Sequence, residues 1–108
     1  MSSQDVINSV RIHKAMDAVI EEYGCTVNKT DLHQRQVITK GKELVGYVKS
    51  YYLNDYLTPK LYMASKWKKK LEGMYIALAL LNIEIDIVST NKVTKEIKDW
   101  VKYNIWKI

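Results

Sequence analysis

The chain has one cysteine, Cys25, which rules out an internal disulfide and leaves no thiolate set for a structural zinc site. The only histidines are His13 and His33, with nothing in the sequence to link them, so a histidine metal cluster would have to borrow carboxylates. Four glycines, Gly24, Gly41, Gly46 and Gly73, lack the spacing of a phosphate-binding loop. No apolar run is long enough to cross a bilayer, and the opening residues MSSQDVINS lack the basic start and apolar stretch of a secretory leader. The expectation is a cytoplasmic protein with no membrane partner and no cofactor. Arginine is also scarce. With Arg11 and Arg35 alone, bidentate reading of bases is less expected than contact with a phosphate backbone.

What is present suits one folded domain over residues 1–108, with 47% hydrophobic and 27% charged residues. The net charge of +5 favours anionic partners, nucleic acid first, since neutralised phosphates release counterions.

Ser2 or Ser3 can cap a first helix running to about Tyr23, with Gly24 as its stop. Its apolar stripe is Ile12, Met16, Val19, Ile20 and Tyr23. Val6, Ile7 and Val10 fall off that stripe, which fits fraying, bending or a homodimer contact. A short strand over Cys25–Val27 and a polar loop follow. Gln36–Thr39, a Lys40-Gly41-Lys42 turn and Glu43 to about Tyr52 predict a β-hairpin. Leu53–Leu57 then reads as a connector.

Thr58 as cap and Pro59 in the first turn predict a long helix, on which Leu61, Ala64, Trp67, Leu71, Met74, Leu78 and Leu81 share one side. From Met74 to Leu81 it is apolar all round, as expected of a helix that ends inside the protein. Asn82 is its stop, and Ile83, Ile85, Ile87 and Val88 form a buried strand. Ser89-Thr90-Asn91 offers a cap for a final helix over Lys92–Lys107. That helix turns Val93, Ile97, Trp100, Val101 and Ile108 inward and Lys95, Lys98 and Lys102 outward. The fold class is therefore α+β, in the order α-β-β-(β)-α-β-α. It holds a β-hairpin and one right-handed β-α-β unit made of the hairpin's second strand, the long helix and the Ile83 strand.

That order is similar to the PD-(D/E)XK nuclease fold of archaeal Holliday-junction resolvases and transposase-associated endonucleases. Leu44–Ser50 (LVGYVKS) resembles the family's Glu-x-Lys strand, with Lys49 in the lysine position, and Ile83–Thr90 (IEIDIVST) resembles its closing strand. The likeness covers Ile12 to Ile97. It implies an Mg²⁺-dependent nuclease scaffold in which Asp31 could stand for the family's Asp and Glu21 or Glu22 for the helix carboxylate of the resolvases. Tyr47 stands where the family has Glu, so a working site would need Asp31, Glu43 and Lys49 as a migrated set. A catalytically degenerate version is the expectation, with no catalytic residue and no metal site.

The main positive signal is lysine interleaved with aromatic residues. Lys66, Lys68, Lys69 and Lys70 crowd one stretch near Tyr62 and Trp67, and Lys95, Lys98 and Lys102 add a second cationic face. These seven lysines are the expected contacts to nucleic acid, DNA before RNA. The rival expectation is a protein-binding adaptor or inhibitor, of the kind encoded by phages and mobile elements. Its anchors would be Tyr51, Tyr52, Tyr56 and Trp106. An active Mg²⁺ nuclease is the third reading.

Overall fold

The computed structural model describes residues 3–29, 35–53 and 56–106, with side chains at 7–29, 35–52, 57–100 and 102. Asp31 and His33 lie outside the described residues, as do the side chains of Val6, Tyr56, Val101, Trp106 and Ile108. Helix α1 (Ser3–Glu22) leads into strands β1 (Thr26–Lys29), β2 (Arg35–Lys40), β3 (Glu43–Leu53) and β4 (Tyr56–Ala64). A 3₁₀ turn (Ser65–Trp67), helix α2 (Glu72–Leu80), strand β5 (Glu84–Val88) and helix α3 (Thr90–Trp106) complete the chain. The α+β class and the single domain follow from this order.

The strands form one sheet in the order β1-β2-β3-β4-β5. The first four make an antiparallel meander, and β5 lies parallel to β4 through α2. The β2–β3 hairpin turns at Gly41, whose φ of 62° is open to glycine. The β-α-β unit exists, but its first strand is β4 and not the hairpin's second strand. Sequence reasoning merged β4 with α2.

The long helix expected from Thr58 to Leu81 is therefore corrected to a strand, a 3₁₀ turn and a short helix. In Tyr56–Ala64 the residues Leu57, Pro59, Leu61 and Met63 alternate with Thr58, Lys60 and Tyr62, a period of two. Leu61, Ala64, Trp67, Leu71, Met74 and Leu78 are all buried, so the core was identified although the backbone period was misjudged. Pro59 is tolerated because β5 pairs with β4 only from Lys60 onward, which leaves that part of β4 with one unpaired side. The supposed connector ends in strand, since Tyr56 and Leu57 already belong to β4. The first strand begins at Thr26, with Cys25 buried just before it.

Both α1 and α2 stop in the same way. Gly24 (φ 79°) and Asn82 (φ 60°) take the left-handed conformation. The next amides, Cys25 and Ile83, reach back to the carbonyls of Ile20 and Leu78 at 3.2 Å, the closing bond of a Schellman motif. Helix α3 is capped by Ser89, whose hydroxyl accepts from the Lys92 amide at 3.1 Å.

Helices α1 and α2 cover one face of the sheet and α3 crosses the other. On the first face His13 joins α1 to β3: Nδ1 lies 2.7 Å from the Ser9 carbonyl and Nε2 2.8 Å from the Ser50 hydroxyl. The carbonyl can only accept, so Nδ1 carries the proton of the neutral ring and the Ser50 hydroxyl donates to Nε2. Met16, Ile20, Val48, Leu61, Met63 and Leu78 fill this layer. On the second face Trp100 meets the edge of Tyr47 at 5.3 Å, over Val93 and Ile97. Not all of α2 is interior: Ile76 is 51% and Leu80 79% exposed. Among the described residues no helix is long and apolar enough to cross a membrane.

Candidate nucleic-acid interface

Residues 66–70 form the sharpest cationic feature. They lie where the chain leaves β4 and turns into α2, and Lys66, Lys68, Lys69 and Lys70 are all exposed there. None makes an ion pair with a described residue. Their support is rigid. Trp67 is buried at 6% exposure, and its indole N–H donates to the Leu44 carbonyl at 3.2 Å, which pins the turn to β3. Lys66 and Lys70 lie over the indole at 5.7 and 5.3 Å from the ring centre. Trp67 is thus a base plate for lysines and not a stacking surface for bases, which corrects that part of the sequence reading.

On α3 the side chains of Lys95, Lys98 and Lys102 point outward as expected. They recur at three and four residues and share a shallow hollow with Asn91, Thr94 and Asp99.

The weak catalytic set does not assemble. Glu43 opens β3 and Lys49 lies six residues further along the same strand, roughly 20 Å at the usual rise. The carboxylate nearest Lys49 is Glu96 of α3, at 3.6 Å. Tyr47, in the position of the family's Glu, is fully buried and stacks on Tyr62 with ring centres 4.8 Å apart. Burial, with Glu96 next in effect, pushes its phenol up to about 12, so it stays neutral near pH 7. Among the described residues no three His, Cys, Asp or Glu side chains converge as metal ligands. Cys25 behaves as a small core residue: burial raises its thiol, and Lys40 only partly opposes this.

The proposed anchors are divided. Tyr51 is tied down, its hydroxyl donating to Glu84 Oε2 at 3.0 Å. Tyr52, next along β3, points to the opposite face and is 57% exposed. On α1, Ile7 and Val10 are 43% and 46% exposed.

Sequence reasoning missed a second polar site on the α3 face of the sheet. Arg35 pairs in register with Lys49, Lys49 with Lys60, and Lys60 with Glu84, so four charged residues form one row across β2, β3, β4 and β5. Lys60 bridges Glu84 and Asp86, each at 3.2 Å, and hydrogen bonds to Glu84 first and Asp86 second raise its ammonium above the usual lysine range. The row borders an open hollow of about 530 Å³ whose aromatic walls are Tyr51 and Tyr62. The signal was the alternation of Lys60 and Tyr62 with apolar neighbours, visible once residues 56–64 are taken as a strand. Compared with protein-family models, with curated proteins and with solved structures, this chain gives no match.

Proposed function

We propose that this domain binds nucleic acid through its phosphate backbone, DNA before RNA, and does not cut it. The carrying observation is the turn at 66–70, where four exposed lysines without described acidic partners stand on one buried indole. Ammonium groups on flexible stems suit phosphate contact with little sequence reading. The α3 stripe of Lys95, Lys98 and Lys102 supplies a second line of contacts. On this reading the scaffold is a PD-(D/E)XK-like fold without its carboxylates. Tyr47 in the place of Glu, and Glu43 far from Lys49 along β3, favour binding over hydrolysis.

The test is retention of labelled single- and double-stranded DNA and RNA at low salt. Wild type should retain at least one of them, and K68Q/K69Q/K70Q should retain much less. No retention of any strand at low salt contradicts the proposal.

One observation favours a second reading, a protein-binding module. Beyond Glu72 the outward side of α2 carries no charge, and Ile76 and Leu80 stand exposed on it. Such a surface suits a partner's apolar anchor and offers nothing to a phosphate. Capture from cell extract with and without nuclease treatment separates the two readings: partners lost on treatment were bridged by nucleic acid, and partners that persist to wild type but not to Leu80→Lys dock on α2.

A further inference from the structure

Three cations in register are an unusual arrangement for a sheet built for stability alone. Same-face neighbours on adjacent strands stand about 5 Å apart at Cβ, and like charges placed opposite one another destabilise the pair. Yet Arg35, Lys49 and Lys60 occupy consecutive positions of one row, and the only acid in it, Glu84, stands at its end. Lys60 is engaged by two carboxylates, which it also neutralises in part. Lys49 is held only by a 3.6 Å approach to Glu96, and its side chain remains 36% exposed at the rim of the hollow. The Arg35 guanidinium is steadied over the Trp100 ring at 5.2 Å.

The aromatic walls are equally fixed. Tyr62 is backed by the stacked ring of buried Tyr47, and Tyr51 is held by its bond to Glu84. A flat ring entering the hollow would meet a wall that needs no rearrangement. An anion entering beside it would meet Arg35 and Lys49 at a point where the sheet already bears the cost of their proximity. A volume of about 530 Å³ lies within the usual span of small-ligand sites.

We propose that this hollow binds one nucleoside phosphate. The phosphate lies between Arg35 and Lys49, the base lies against Tyr62, and the Glu84 carboxylate accepts a hydrogen bond from an exocyclic amino group of the base. The nucleotide is either free or an unpaired member of a strand, since both present the same chemistry. The inference does not rest on the lysine turn at 66–70, which lies outside the hollow's lining.

The experiment titrates the full chain with CMP, with UMP and with a ten-residue oligocytidylate, followed by intrinsic fluorescence and calorimetry. CMP should bind more tightly than UMP, which offers a carbonyl where CMP has the amino group, and Glu84→Gln should reduce that preference. Lys49→Met and Tyr62→Leu, each checked for a native circular dichroism spectrum, should weaken binding about tenfold. K68Q/K69Q/K70Q should leave CMP binding unchanged, so failure of the backbone reading is distinguishable from failure of this one. CMP binding identifies a free-nucleotide site. Binding of the oligomer alone, still dependent on Lys49 and Tyr62, identifies an unpaired nucleotide of a strand. Both outcomes support the proposal. It is overturned if neither probe binds, or if folded Lys49→Met and Tyr62→Leu bind as wild type does.

Discussion

Replacing Lys68, Lys69 and Lys70 together by Gln removes three cations while keeping side-chain length and polarity. The three side chains are exposed and none is paired with a described acid, so the fold should be unaffected. The magnitude follows from counterion release, with a slope of log K against log salt of about −0.9 per phosphate neutralised on duplex DNA. Four lysines at the turn give a slope of about −3.6, which weakens binding roughly 150-fold between 50 and 200 mM salt. With three removed the slope falls to about −0.9, and the same salt change costs only about fourfold. Engagement of Lys95, Lys98 and Lys102 would steepen both slopes by about 2.7 and leave their difference unchanged. Fluorescence anisotropy with a labelled 20-base-pair duplex at four salt concentrations reads both slopes. Equal slopes for wild type and variant would refute the assignment of phosphate contact to this turn.

Two further predictions concern the scaffold. Gly46 lies on β3 opposite Met63, and a Cβ there would press against the Tyr62 carbonyl and approach Met63 Cα, both backbone atoms of β4. Gly46→Ala should therefore destabilise by about 2 kcal/mol, a fall in melting temperature of about 9 °C for a domain of this size. A shift under about 2 °C would show that β3 and β4 do not approach as described. Asp17 has its carboxyl raised, chiefly by burial, with Lys29 and then His13 opposing, and its Oδ1 has no hydrogen-bond partner among the described residues. A carboxyl raised in the folded state lowers stability wherever it is ionised, and the loss is relieved as pH falls toward the unfolded value of about 3.9. Asp17→Asn should melt higher than wild type at pH 7, and the advantage should vanish below about pH 3.9. A variant that melts lower at pH 7 contradicts this account.

Local chemistry made much of the fold legible. Gly24 and Asn82 marked two helix ends because few residues other than glycine and asparagine accept the left-handed conformation readily. Gly41 marked the hairpin turn for the same reason. The stripes on α1 and α3 were readable because each helix presents one face to the sheet. Residues 56–64 were misread because Leu57, Leu61 and Ala64 fit spacings of three and four while Pro59 and Thr58 imitate a helix start. The partner strands β3 and β5 settled the matter, and pairing between distant segments leaves no local trace. That single misreading hid the polar site. Lys60 and Tyr62 come beside Lys49 and Tyr47 only when β4 pairs with β3. The lysine turn needed no such pairing, since its four cations lie within five residues of sequence.

The most direct measurement of the central claim is a residue-resolved titration of the ¹⁵N-labelled chain with a short DNA duplex, followed by amide chemical shifts. If the lysine turn is the gripping surface, the largest changes fall on residues 65–72, with a second set along α3 at 91–102, and fade as salt rises. Changes confined to the outward side of α2 around Ile76 and Leu80, or none at saturating duplex in low salt, would contradict the account.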